Sequence, residues 1–230
     1  MRIGGAWLPP CSSSPDAGGA PGGPARYAHR VSLRIIVPHR GLEAAKTRLA
    51  TTLDPAERIM LASQLLQRVI SVSRQVSDDV VVISPSRPLA EIVDAAGARL
   101  EVQRGMGLNE GLDQARSQAI LDGVDTLIVL HGDLPNLRPE DVVSMVDALP
   151  SEGRPGVAIA PDRAGTGTNA LALRPPGVIN FRFGSGSFAA HAAEIERAGV
   201  PAVAVDRAGL AFDLDTPADL QRWLELGDAA

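Results

Sequence analysis

One cysteine, Cys11, stands in a chain of 230 residues. No intramolecular disulfide can therefore staple the fold, and a reducing, cytoplasmic setting is the simpler expectation. Aromatic residues make up 3% of the chain, too few to line a stacking platform for single-stranded nucleic acid. No apolar run approaches the roughly 20 residues that a membrane-spanning helix needs. Neither sign of charge dominates: 22 Lys and Arg face 27 Asp and Glu, a formal charge of −5. That balance argues against the broad basic footprint of a DNA- or RNA-binding protein. A small anionic ligand stays within reach, since it needs only a few local cations. Residues 1–30 carry six Gly and five Pro without a continuous apolar stretch. Such a composition cannot offset its ordering entropy by burial, so a disordered Gly/Pro-rich tail is expected there rather than a secretory signal.

From residue 31 to residue 230 the chain reads as one domain. With aromatics scarce, its core must come from Ala, Val, Leu and Ile, as in layered α/β proteins. Short apolar runs at 32–37, 80–84, 99–102, 126–130, 157–160, 170–173 and 202–205 predict strands. Between them lie helical patterns. Asp54-Pro55-Ala56-Glu57 places an N-cap, a proline at the first helical position and an acid at the third. Further helices are predicted over 89–96, 109–121, 139–149 and 187–198, with Thr216 capping a last one that starts at Pro217. Strands alternating with helices imply a three-layer, mostly parallel sheet covered on both faces. Ligands of such sheets bind beyond the carboxyl ends of the strands, and the informative residues lie there.

After the first strand, Arg40, Lys46 and Arg48 surround a single acid, Glu43. Such a loop can hold a polyphosphate, Lys as a point charge and Arg as a fork, or can be a solvated basic turn. After the strongest strand comes His131-Gly132-Asp133-Leu134-Pro135. Asp133 suits a metal ligand or a cap of the following turn, Gly132 permits close approach, and His131 reads as structural. Asp213 and Asp215 sit two apart on an extended segment, so their carboxylates point the same way, and a shared divalent cation would relieve their repulsion. Two Gly-rich segments, Asp162–Asn169 and Phe181–Ser187, suit anion-cradling turns or plain hairpin turns, and the second ends at a helix N-terminus.

Together AAKTRLA, GLNEGL, VLHGDLP, DRAGTGTNAL, FRFGSGSF and FDLDTPADL resemble the guanylyltransferases of deazaflavin coenzyme (factor 420) biosynthesis. Those enzymes have the nucleotide-diphospho-sugar transferase fold, a Rossmann-like α/β class. The resemblance spans about residues 33–226. It implies transfer of GMP from GTP to the phosphate of phosphoenolpyruvate, 3-phosphoglycerate or 2-phospholactate, with magnesium and release of pyrophosphate. By the same resemblance, Lys46 and Asp133 are catalytic. Arg48, Gly107 and Asn109 bind the nucleotide, and Thr168, Gly184 and Ser187 bind the acceptor. Asp133, Asp213 and Asp215 hold the metal. The first loop, PHRGLEAAK, departs from the family pattern at His39. The product would pass to the next enzyme of the coenzyme pathway, with no nucleic acid or membrane involved and a homodimer left open. A metal-dependent glycosyltransferase of similar fold and a non-catalytic nucleotide-binding module are the rival readings.

Overall fold

The computed structural model describes residues 32–227 apart from residue 152, so the expected tail at 1–30 lies outside the described residues. The strands are β1 (Leu33–Pro38), β2 (Asp79–Ser84), β3 (Arg99–Val102), β4 (Thr126–Leu130), β5 (Gly156–Pro161), β6 (Thr168–Arg174) and β7 (Ala202–Ala204). They form one sheet in the order β3-β2-β1-β4-β6-β5-β7. Every pairing is parallel except those of β6, which runs antiparallel to both β4 and β5. The β5–β6 connection is the Gly-rich turn, a hairpin, and this is why one strand reverses.

The helices follow the signals in the chain. The helix α1 (Pro55–Arg74) opens on the expected capping box, with Asp54 accepting from the Glu57 amide and Glu57 accepting from the Asp54 amide. After it come α2 (Ala90–Ala95), α3 (Leu108–Leu121), α4 (Pro139–Asp147) and α5 (Ser187–Ala198). Two more, α6 (Ala208–Ala211) and α7 (Pro217–Gly227), complete the set. Thr216 caps α7, its hydroxyl accepting from the Asp219 amide while Asp219 accepts from the Thr216 amide. Two elements depart from expectation. The helix α6 spans a single turn without periodicity, and the basic loop ends in a 3-10 turn, Thr47–Leu49.

Alternation along the strands builds the layers. Ile35, Val37, Ile128 and Leu130 pack on the face of α1 and α4, against Leu66, Ile70 and Met145. Ile36, Leu127 and Val129 pack on the opposite face, against Leu112, Ala115 and Ile195 of α3 and α5. A third, smaller cluster of Leu49, Leu61, Leu65, Leu214 and Leu220 lies apart from the sheet. It ties the basic loop after β1 to the segment before α7. Successive strands leave β1 in opposite directions, β2 on one side and β4 on the other. A crevice therefore opens where the loops after β1 and β4 diverge.

Candidate active site

The crevice holds a cleft of about 510 Å³ lined by His39, Lys46 and Arg48 of the first loop, His131 and Asp133 of the second, and Asp215 from the segment before α7. Lys46 is its centre. The ammonium donates to Asp133 Oδ2 at 2.8 Å and to Asp215 Oδ1 at 3.1 Å, and the Lys46 side chain is only 6% exposed. Burial works against the charge on Lys46, but the carboxylates of Asp133 and Asp215 outweigh it and hold its pKa above the ordinary lysine value. Burial likewise opposes the charge on Asp133. The charges of Lys46 and His131, with the Lys46 hydrogen bond, nevertheless bring Asp133 below the usual carboxylate range. Reaching this position puts the Lys46 backbone in the left-handed region, φ 54° and ψ 33°, where a side chain costs roughly 1–2 kcal/mol.

The segment with the second acid is pinned on all sides. The Leu214 amide donates to the Asp133 carbonyl at 3.1 Å. Asn169 Nδ2 donates to the Leu210 carbonyl at 3.0 Å and to Asp213 Oδ1 at 3.2 Å. The small leucine cluster fixes Leu214 from below. Gly132 serves packing: a Cβ there would stand 3.3 Å from Val37 Cγ1 and 3.7 Å from His39 Cδ2.

The three acids proposed for the metal behave differently from one another. Asp215 lies between the two cations of the basic loop, Oδ1 on Lys46 and Oδ2 3.7 Å from Arg48, whose side chain is 74% exposed. An anion between Lys46 and Arg48 is thus supplied by the protein itself. Asp213 accepts instead from Asn169 through Oδ1, and feels the charge of Asp215. Burial and the nearby charge of Asp133 push the Asp213 carboxyl above its ordinary value. Asp133 Oδ1 is buried without a hydrogen-bond partner. A free lone pair on one acid and a charge-strained second acid fit a divalent cation. Among the described residues no group of three or more His, Cys, Asp or Glu could close around an ion. A cation held by few carboxylates, completed by phosphate and water, is the mode magnesium favours.

On the expected nucleotide side, Gly107 lines the cleft at φ 144° with open space where a Cβ would be. Asn109 holds the backbone of the second Gly-rich segment. Its Nδ2 donates to the Phe183 carbonyl and its Oδ1 accepts from the Phe183 amide, both at 2.9 Å. It clamps that segment with one donor and one lone pair, and the amide keeps a second of each. On the acceptor side, Thr168 and Ser187 are 2% and 3% exposed, whereas Gly184 faces solvent at φ 136°. The Ser187 and Phe188 amides at the start of α5 are already bonded to the Gly184 and Thr166 carbonyls. None of the three lines the cleft itself.

Thr168 meets His191, a residue that no strand-end motif marks. It is fully buried, with Nε2 accepting from the Arg182 amide at 2.9 Å and Nδ1 3.1 Å from Thr168 Oγ1. A neutral ring accepting at Nε2 carries its proton on Nδ1 and donates it to Thr168. Its edge meets Phe183 at 4.7 Å, and Phe183 reaches His131 in the cleft at 5.5 Å. Burial lowers the pKa of His191 to about 4, against an opposing pull from Glu194 and beside a lowering one from His131. Because the folded value lies below the ordinary 6.5, the unfolded chain binds the proton more tightly. His191 thus stabilises the fold fully above pH 6.5, and that stability drains away as pH falls towards 4. Its share is on the order of 3 kcal/mol. Denaturant titrations at pH 7 and pH 4.5 are expected to show a clear loss in the unaltered protein and a visibly smaller one in His191→Gln. Equal losses in the two proteins would remove His191 as the source.

Residues 33–229 match the protein family described as "Guanylyl transferase CofC like". The chain belongs to this family. A phosphoenolpyruvate guanylyltransferase of Sphaerobacter thermophilus is 44% identical over 189 residues, 81% of this chain and 89% of that one. A 2-phospho-L-lactate guanylyltransferase of Methanothermobacter thermautotrophicus is 33% identical over 186 residues, 80% of this chain and 81% of that one. Among solved structures, a protein described as a nucleotide-diphospho-sugar transferase from Desulfovibrio desulfuricans superposes with a TM-score of 0.68 at 20% identity, covering 86% and 88% of the two chains. A nucleotidyl transferase from Methanothermobacter thermautotrophicus gives 0.62 at 16% identity over 85% and 97%. These last two place the fold of the guanylyltransferase family member described here. No helix among its described residues is long and apolar enough to cross a membrane.

Proposed function

We propose that this enzyme transfers GMP from GTP to the phosphate of a three-carbon phosphoacid, with phosphoenolpyruvate the first choice, and releases pyrophosphate. The observation that carries the reading is the 44% identity to a phosphoenolpyruvate guanylyltransferase across most of both chains. A phosphate oxygen of the acceptor forms a bond to the α-phosphorus as the bond to the bridging oxygen breaks, and pyrophosphate leaves with that electron pair. The attacking phosphate is already an anion near neutral pH. The chemistry therefore asks for positioning and charge neutralisation, not for a base.

The cleft suits that demand. Lys46, locked between Asp133 and Asp215, offers a fixed positive charge that needs no reorganisation when phosphate arrives. Arg48, exposed and only loosely tied to Asp215, is free to turn onto a phosphate at the mouth. The Gly107 turn, held by Gln103 Nε2 on the Gly105 and Gly107 carbonyls, leaves room for the nucleoside. The acceptor would approach from the side of Gly184, which lies outside the cleft lining and follows the Phe183 that Asn109 and His191 contact. Asp133 with Asp213 would hold magnesium, which when bound neutralises triphosphate charge. The reading includes a cytoplasmic setting and a product handed to the next enzyme of factor 420 synthesis.

Pyrophosphate release with GTP, magnesium and each phosphoacid in turn tests the proposal. Release is expected with phosphoenolpyruvate at a kcat/KM at least about tenfold above 3-phosphoglycerate and 2-phospholactate. Release with one of the other acids alone would change the acceptor. No release with any of them would refute the transfer.

A further inference from the structure

His39 stands at the end of β1, the strand that lies between β2 and β4 in the sheet. One end of the cleft is formed beyond β2 and β3 by Pro85, Gln103 and Gly107, and the other by Lys46, Asp133 and Asp215. His39 is between the two. The Gly41 amide donates to its Nδ1 at 3.0 Å. Nδ1 is therefore the acceptor, and in the neutral ring Nε2 carries the proton. That N–H has no protein partner among the described residues, and Nε2 is not among the sealed, unpaired atoms, so it opens to the cleft. The ring lies beside Gly132, its Cδ2 3.7 Å from where a Cβ on that residue would stand.

We propose that His39 is a catalytic residue of the guanylyl transfer, its Nε2–H donating to a non-bridging oxygen of the nucleotide α-phosphate. The inference rests on the proposed function. With the nucleoside at the Gly107 end and the triphosphate's outer charge at the Lys46 end, the α-phosphate is the group that falls opposite β1. A neutral donor is what this position can accept. Burial works against a full charge here and, with the nearby Lys46, outweighs the opposing pull of Asp133. Burial holds the His39 pKa near 4, so the donor keeps its tautomer across the working range of pH. Its strength grows with the charge that the α-phosphate oxygens gain as the new bond forms.

Two variants separate this role from support of the loop. His39→Asn keeps an acceptor for the Gly41 amide but is too short to present a donor at the Nε2 position. His39→Gln reaches the Nε2 position with an N–H and loses the Gly41 contact. Pyrophosphate release is expected to fall about 30-fold in kcat/KM for GTP in His39→Asn and less than about fivefold in His39→Gln, with the acceptor's KM nearly constant in both. GTP bearing sulfur on the α-phosphorus provides a second readout. One diastereomer is expected to slow the unaltered enzyme by a factor that shrinks in His39→Asn. The reverse order of the two variants, a loss confined to the acceptor's KM, or identical sulfur effects in both proteins would overturn the assignment. Absence of release by the unaltered enzyme would instead overturn the guanylyl transfer, and this inference with it.

Discussion

Asp133→Asn is expected to slow pyrophosphate release at least about 100-fold while the protein stays folded. The substitution is isosteric, and the structural bond at this position runs from the Leu214 amide to the Asp133 backbone carbonyl, which the change leaves alone. What disappears is the charge that orients Lys46 and the unpaired Oδ1 that fits a cation. Losing one preorganised electrostatic element of a phosphoryl-transfer site costs on the order of 3 kcal/mol in the barrier. Steady-state kinetics beside a thermal melt checks this. A folded Asp133→Asn enzyme with near-normal kcat would take Asp133 out of the reaction.

Lys46→Ala is expected to lose a comparable factor in turnover and, unlike Asp133→Asn, about 3 kcal/mol of stability. Removing the ammonium leaves Asp133 and Asp215 facing each other without their shared cation, and an unbalanced buried charge is costly. Magnesium in millimolar amounts is therefore expected to raise the melting temperature of Lys46→Ala more than that of the unaltered protein. Lys46→Gly should be more stable than Lys46→Ala by roughly 1 kcal/mol, because the left-handed backbone at this position penalises any Cβ. Equal melting temperatures for unaltered enzyme and Lys46→Ala would show that the ion pairs carry no stability. An inverted order of the Gly and Ala variants would contradict the strained backbone.

The sheet was legible because its strands announce themselves locally. Ile35–Val37 and Leu127–Leu130 are apolar runs short enough for strands, and Asp54 with Glu57 writes its own capping box. The helix α6 was not legible, because Arg207–Phe212 offers one turn without a period. At the site, Lys46, Arg48 and Asp133 were nameable from their places after strands and Asp215 from its spacing to Asp213, and the cleft brings the four together. Their pairing was not, since Lys46 meets Asp133 across 87 residues and Asp215 across 169. Asn109 and His191 show the same limit. An amide that clamps a backbone 74 residues away has the same letter as one that reads a base. A histidine satisfied at both nitrogens looks, in a sequence, like one waiting for a ligand.

The leucine cluster under the basic loop carries a consequence for when the enzyme becomes active. Leu49, Leu61 and Leu65 are made early, but the cluster closes only with Leu214 and Leu220. At roughly 5–20 residues per second, translation needs about 10–30 s to travel from Lys46 to Asp215. During that interval the nascent chain can pair β1 with β2 and β4 while its basic loop lacks both the floor and the acid that hold Lys46 in place. Birth of the sheet and birth of the reaction are thus separate events. A chain released before Leu214 would keep much of its parallel sheet and could not assemble the charged end of its cleft.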